Sequence, residues 1–476
     1  VNGDPGYGLV RILQGQVADR MTAAKQARQN SGQPELTAAD ERQLALSFIR
    51  DAVARHRRAE IAVGLELPDP AQDIDLVEAV DAAMFGAGAL QELLDDPDVE
   101  NIDINGCDEV WVTYAGDRGK VRARPVAATD EDLVDIVRTL GSYAGINARP
   151  FTPATPELDL RLPDGSRLSA IMGACERPSV SIRRNRFPQM FLDDTPVVTA
   201  GPRGNGHRDA RRPGSSSRRQ VTLLELGSID AQLAAFLRAT VLARCNLMIA
   251  GATDAGKTTL LRALVNCIPP SERLITVERA MELGLRRHPD LHPDVVEMEE
   301  VLPSSEGGGG VSIGALVRRT RRQNPSRVIV GEVLGPEVVE MLSAMSQGND
   351  GSLSTIHARD ASDVFHRLAT YAAQYEGLSF DVSHALIGST IDFVVFVRKN
   401  PRLRGRRCVM EVLEVTGSAD GRVTRSRIFA EGPDGSAIRD PEVAIMRWRA
   451  LAEAGYDDGA WHGAAAGIQP WASGTG

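Results

Sequence analysis

Aromatic side chains are scarce in this chain. Phe, Trp and Tyr together supply 4% of its 476 residues, so its cores must be built from Leu, Val, Ile and Ala. Cysteine is sparser still. Cys107, Cys175, Cys245, Cys267 and Cys408 stand singly, without a C-x-x-C pair and in an odd total, which argues against a disulfide framework and against a zinc site. Cys245 and Cys267 lie in apolar stretches and read as small core residues. Nowhere is there a run of about 18 apolar residues able to cross a bilayer. The N-terminal residues hold no apolar signal core. Surplus positive charge is missing too: the net charge of -10 argues against a general nucleic-acid coat, which needs extra Lys and Arg, although a local basic patch remains compatible. The expectation is a cytoplasmic protein in a reducing compartment.

What is present is ordinary globular chemistry, with 42% hydrophobic and 25% charged residues. The length favours two or three domains. Residues 1–35 are polar and rich in Gly and Gln, and are expected to be loose. A helical extension is expected over 36–70, with Thr37 as a cap, Asp40 and Glu41 in the first turn, and Leu44, Phe48 and Ala52 forming one apolar stripe. Residues 71–190 read as an α/β domain. A helical pattern through Ile74, Val77, Val80 and Met84 opens it, and Leu90 to Leu94 follows. Strands are expected at Glu100–Ile104, Val110–Val112, Leu160–Leu162, Leu168–Met172 and Ser179–Ile182, with a helix near Glu131–Leu140.

The pattern breaks over 191–221. Gly201 to Arg219 carries six arginines against one Asp and no apolar periodicity, and reads as a flexible basic linker, or as a tether for anionic headgroups or an acidic partner. Alternating strands and helices from 222 to 400 then announce a parallel sheet. Residues 401–476 look like a small β appendage with a helix near Glu442–Glu453 and a frayed tail. The Gly307–Gly310 run reads as a flexible loop.

The apolar strand Asn246–Ala250 leads straight into Gly251-Ala252-Thr253-Asp254-Ala255-Gly256-Lys257-Thr258-Thr259 and then a helix. Strand, glycine loop and helix N-terminus together give G-x-x-x-x-G-K-[ST] its physical meaning. Backbone N–H groups close around phosphate oxygens, and the helix dipole adds positive potential. Lys257 reaches the β- and γ-phosphates, and the Thr258 hydroxyl ligates Mg²⁺. ATP and Mg²⁺ are therefore the expected ligands. Asp254 is the oddity, because it brings negative charge to the triphosphate. It either points outward or tunes affinity downward.

Further acidic groups end apolar strands. Val328-Ile329-Val330-Gly331-Glu332 offers a carboxylate able to hold Mg²⁺ or orient water. Leu274–Glu278 ends likewise, four residues before Glu282, and either Glu278 or Glu282 could polarise water or hold metal. His357 is a polar tip on Ser352–Ala358; taken alone, such a His is more often structural.

The succession GATDAGKTTLLRAL, ITVERAMEL and RVIVGEVLGPEVVEMLSAMSQGNDGSLSTIHA resembles the ATPases of the type II/IV secretion superfamily, and within it the CpaF-like ATPases of Tad/Flp pilus systems. LLDDPDVENIDINGCDEVWV and PELDLRLPDGSRLSAIM look like that family's N-terminal domain. The resemblance covers roughly Leu90 to Val397 apart from the basic insert. It implies a RecA-like ATPase domain over 222–400 behind a smaller α/β domain, with Lys257 and Thr258 as Walker A residues and Glu332 as Walker B carboxylate and catalytic base. Glu278 and Glu282 match the "Asp box", and His357 the second histidine of the "His box". Arg167 and Arg183 are the expected N-terminal-domain arginines that reach nucleotide, ahead of Arg161 and Arg184. Arg318, Arg319, Arg321 and Arg322 form a cluster just before the Walker B strand, some of which would face nucleotide or a neighbouring subunit. Departures from the family pattern fall at Asp254, Arg279 and Asn349, all expected in or beside the site. A homo-hexamer at the inner face of the cytoplasmic membrane is implied, acting on an inner-membrane platform protein to assemble a pilus or export a substrate. The rival readings are an ATP-binding assembly scaffold and a conjugation-type DNA-transfer ATPase gripping DNA through the basic linker.

Overall fold

The structure, a computed structural model, describes residues 5–31, 38–62, 70–85, 89–115, 118–143, 150–162, 164–187, 189–196, 220–301 and 309–458. The basic segment 197–219, the Thr37 cap, Gly307 and Gly308, and the tail 459–476 lie outside the described residues. The chain divides into two compact units, Val1–Arg186 and Phe187–Gly476.

In the first unit, the opening residues correct the expectation of a loose segment. Pro5–Asn30 is a helix (α1), followed by α2 (Ala38–Ala62) and α3 (Pro70–Phe85). Leu13, Val17 and Met21 recur four apart on α1 and are buried against Ala45, Ile49, Ala52 and Val53 of α2 and Val80 of α3. Against a Gln- and Gly-rich background this stripe is one residue wide. Its stability comes from packing on the other two helices rather than from local propensity. After α4 (Leu90–Asp95) the chain builds an antiparallel sheet from β1 (Val99–Asn105), β2 (Val110–Tyr114), β3 (Lys120–Arg122), β4 (Glu157–Arg161), β5 (Arg167–Ile171) and β6 (Ser179–Arg183), in the order β3-β2-β1-β6-β5-β4. Helix α5 (Asp130–Tyr143) carries three acids in its first turn, where the helix dipole favours them. Its Leu133 and Val137 join Ile102, Ile104, Leu168 and Ile182 in one core.

The second unit is a nine-stranded sheet. Its elements are α6 (Ala231–Leu242), β7 (Leu247–Gly251), α7 (Lys257–Val265), β8 (Leu274–Glu278), β9 (Val295–Glu299), α8 (Ile313–Thr320), β10 (Arg327–Val333), α9 (Val338–Ser346), β11 (Leu353–His357), α10 (Asp363–Glu376), α11 (Phe380–Thr390), β12 (Phe393–Asn400), β13 (Arg406–Ala419), β14 (Arg422–Glu431), β15 (Ala437–Arg439) and α12 (Trp448–Glu453). Strand order is β15-β14-β13-β12-β7-β11-β10-β8-β9. The run from β12 to β9 is parallel, and β13 to β15 add antiparallel.

Alternation along β7 explains its unbroken apolar sequence. Leu247 and Ile249 pack with α6 and α7 on one face, while Met248 and Ala250 pack with α8 to α11 on the other. Both faces are covered, as parallel sheets require. Phe236 of α6 sits at the centre of the first face, touching the rings of Phe393, Phe429 and Tyr456. Truncating it to Ala would remove about 3–5 kcal/mol of packing. Cys245 is buried, which pushes its thiol up to about 12, and Cys267 packs at the edge of the same core.

The stretch 401–458 is not an appendage. β13 pairs with β12 in the main sheet, and Val412, Ile428, Phe429, Ile445 and Leu451 belong to its core. Its alternating pattern announces strands, but the free edge of β12 that receives them is a tertiary fact. The final helix begins at Trp448, later than Glu442, because Asp440 and Pro441 start a turn there.

Candidate functional site

Parallel strands bring their C-terminal ends to one edge, where ligands of open α/β sheets bind. Here those ends carry the functional groups. His357 lies in register with Gly251 across β11 and β7, and Val330 of β10 with Val277 of β8. The loop after β7, Glu332 on β10, Glu278 on β8 and His357 on β11 therefore share one edge.

The loop from Gly251 to Gly256 depends on its glycines. A Cβ on Gly251 would fall 2.3 Å from the Val397 carbonyl oxygen. Gly256 caps α7 at φ +98°, a left-handed conformation suited to glycine. Lys257 starts the helix and is buried; its Nζ lies 3.2 Å from the Gly251 carbonyl and 3.1 Å from that of Ala252. It also lies 3.2 Å from His357 Nδ1 and 4.0 Å from Glu332 Oε1. His357 Nε2 stands 2.7 Å from the same Glu332 oxygen. An ammonium only donates, so Nδ1 accepts and Nε2–H donates to the carboxylate, which assigns the imidazole tautomer. Lys257, His357 and Glu332 thus form one chain of hydrogen bonds. Thr258 and Thr259 follow, half-buried, in the first turn of α7.

Glu278 is buried beneath this chain. Its Oε2 accepts the N–H groups of Glu282 (2.8 Å) and Leu283 (3.1 Å), while Oε1 is buried without a hydrogen-bond partner. Gly331 makes room for it, since a Cβ there would come 2.8 Å from Glu278 Cγ. Burial pushes the carboxyl up to about 7, so Oε1 is suited to carry or take up a proton near neutrality. The backbone of Glu282 serves as scaffold: its N–H goes to Glu278, and its carbonyl accepts from Arg262 Nη2 at 2.8 Å. Arg262, buried in α7, went unnoticed in the sequence, where the signal was one Arg inside Leu260-Leu261-Arg262-Ala263-Leu264.

The three departures separate. Asp254, at the loop apex, is paired away from the loop interior with Lys399 and Arg407. Arg279 is exposed and paired with Glu300 at 3.1 Å. Asn349 does not belong to the site. Its side-chain amide donates to the Ala344 carbonyl and its main-chain carbonyl accepts from the Ser352 hydroxyl, before β11 begins. The strand itself separates this end from His357 by about 13 Å.

The arginine cluster is corrected likewise. Arg318 and Arg321 both pair with Glu340, and the four arginines precede Arg327, where β10 starts. About 16 Å of strand separates that end from Glu332. They do not face the loop of their own chain.

In the first unit, Arg161 pairs in register with Arg167, and Arg167 with Arg183. Directly opposed residues share a sheet face, so three guanidiniums form one row on the side away from buried Leu168 and Ile182. Arg184 points elsewhere, toward Asp164 (3.8 Å) and the Leu93 carbonyl. Arg161 therefore joins Arg167 and Arg183, and Arg184 leaves the group.

Among the described residues no three His, Cys, Asp or Glu side chains cluster as a metal cage. The donors at the loop are hard oxygens: the Thr258 hydroxyl, the half-exposed Glu332 carboxylate and the orphaned Glu278 Oε1. Such a set fits Mg²⁺, which takes one or two protein oxygens and completes its shell with phosphate and water.

A glycine loop between a buried strand and a helix, with carboxylates on the neighbouring strand ends, defines a P-loop nucleotide-binding domain of the α/β class. A family model for type II/IV secretion system proteins matches residues 84–401. The chain belongs to that family. It is 29% identical over 380 residues to Rv3659c, a Mycobacterium tuberculosis protein named for conjugal transfer, covering 78% of this chain and 95% of that one. With the type IV secretion system protein PtlH of Bordetella pertussis it shares 30% identity over 339 residues, 69% of this chain and 94% of PtlH. The solved VirB11 ATPase of Brucella suis aligns at 24% identity over 70% of this chain and 97% of its own, with a TM-score of 0.34. No helix among the described residues is long and apolar enough to cross a membrane.

Proposed function

We propose that this chain is an ATP-hydrolysing motor of a type II/IV-like secretion or Tad/Flp pilus assembly system. The observation that carries the reading is the hydrogen-bonded chain Lys257–His357–Glu332 at the mouth of the glycine loop. Backbone N–H groups of 252–258 cradle the phosphates, and Lys257 neutralises the β- and γ-oxygens. Glu332 orients the attacking water and accepts its proton, with His357 holding the carboxylate in place. Glu278 backs this proton path, and Glu282 joins it through the main-chain N–H it donates to Glu278. A Mg²⁺ held by Thr258 and Glu332 would screen the phosphate charge. The row Arg161, Arg167 and Arg183 is a second source of positive charge for nucleotide phosphates.

The family resemblance supports a homo-hexamer working on an inner-membrane platform protein at the cytoplasmic face, with nucleotide binding and hydrolysis driving the motion between the two units. Magnesium-dependent phosphate release by the purified chain tests this. Release no greater than that of Glu332→Gln would leave an ATP-binding scaffold instead. Kinship with a protein named for conjugal transfer favours one further reading, DNA transfer. Salt-sensitive DNA binding that disappears on deleting 202–219 would support it, and its absence would leave the protein-export reading ahead.

A further inference from the structure

The glycine loop is held by more than its own strand and helix. At its apex Asp254 adopts φ +60°, a left-handed conformation unfavourable for side-chain-bearing residues that Asp tolerates better than most. Two cations from a distant hairpin meet its carboxylate. Lys399 of β12 brings Nζ to 2.5 Å from Oδ2, and Arg407 of β13 brings Nη2 to 2.8 Å from Oδ1. Arg407 Nε also donates to the Asp254 main-chain carbonyl at 3.0 Å. A guanidinium that grips both the side chain and the main chain of one residue restrains its backbone as well as its charge.

Lys399 and Arg407 stand directly opposite one another in the β12–β13 ladder. Like charges so placed repel, and Asp254, reaching both, offsets that repulsion. The hairpin touches the two loop glycines as well. Gly251 abuts the Val397 carbonyl, and a Cβ on Gly256 would meet Arg407 Cδ at 3.2 Å. An isolated exposed ion pair contributes little. Here one carboxylate, two half-exposed cations, a main-chain acceptor and two close glycine contacts act on the same turn, Gly251 to Gly256.

The geometry points to Lys399 and Arg407 as positioning residues of the nucleotide site: a clamp through which the β12–β13 hairpin sets the shape of the phosphate loop. It rests on the nucleotide-site reading above, and neither residue is assigned contact with the reacting atoms. The clamp also answers what Asp254 does in a loop built for anions. Its charge is spent on the hairpin.

Arg407→Gln in the full chain is the test. Without nucleotide, hydrogen exchange of 252–256 should quicken by about tenfold or more, as expected when a local opening loses its restraint; exchange equal to wild type would overturn the clamp. With ATP, KM should rise by about tenfold while kcat changes less than about threefold, the signature of lost binding geometry rather than lost chemistry. A fall in kcat with KM unchanged would overturn the positioning role. Adding Asp254→Asn to Arg407→Gln removes the carboxylate charge that Lys399 alone then balances. A clamp leaves KM raised, whereas recovery to wild-type KM would reduce the effect to local charge and refute the positioning. Lys399→Gln, expected to move both readouts in the same direction by less, decides the matter should Arg407→Gln fail to fold. If the wild type hydrolyses no ATP, the functional reading falls, and the exchange measurement still decides the clamp.

Discussion

The two ends of the nine-stranded sheet use the same residue types to opposite purpose. At the end where β8 and β10 begin, Arg327 is almost fully buried, makes a bidentate pair with Glu272 (2.8 and 2.7 Å) and donates to the carbonyls of Val241 and Gly351. Arg244 joins the same carboxylate at 2.6 Å. Beside them Asn246 donates to Met345 and Thr390 and accepts from the N–H groups of Gly351 and Ser352. Its side-chain hydrogen-bonding capacity is filled. At the other end Glu278 keeps an oxygen buried without a partner, and Glu332 and His357 each stay 34% exposed. A saturated polar network stabilises and goes no further. A network left incomplete can bind and react, and its deficit marks the site.

The comparison is most exposed to Glu332→Gln. Phosphate release should fall by about a hundredfold or more, the usual reach of a general base, while the melting temperature stays near that of wild type. A large loss of stability instead would mean that the open end is structural too. Arg327→Ala should do the reverse. It leaves Glu272 with Arg244 as its remaining partner, at a cost of about 3–5 kcal/mol, read as a lowered denaturation midpoint, and an unchanged midpoint would break the contrast.

Glu278 sharpens the comparison through pH. Its carboxyl is raised from 4.5 to about 7 by burial, so its favourable share of stability is complete below about pH 4.5 and lost as pH rises through 7. Thermal melts across that window should show wild type losing ground to Glu278→Gln as pH rises; parallel curves would deny the shift. The smallest effect belongs to Asn349→Ala. Its lost hydrogen bond is worth about 1 kcal/mol, and KM for ATP should not change, because the side chain sits at the saturated end of β11.

Much of the site was legible because its pieces are local. The Gly251–Thr259 loop is a contiguous pattern between an apolar strand and a helix, and Glu332 and Glu278 announce themselves as carboxylates ending apolar runs. Helix α1 was not legible, since Leu13, Val17 and Met21 need α2 and α3 before their stripe means anything. The family resemblance puts Asn349 in or beside the site, and an extended strand separates it from His357 instead. Arg407 lies 153 residues from Asp254, beyond any local pattern.

By itself the sequence determined the phosphate loop, the buried strands and the identity of the carboxylates, because backbone conformation at glycines and burial along an apolar run are set by neighbours in the chain. Only the tertiary structure decided which charged groups meet. Strand order put His357 beside Gly251, Gly331 beside Glu278, and the β12–β13 hairpin against Asp254, and each meeting depends on the register of strands far apart in sequence. Desolvation and pairing act over a few ångströms of space, and that distance has no counterpart along the chain.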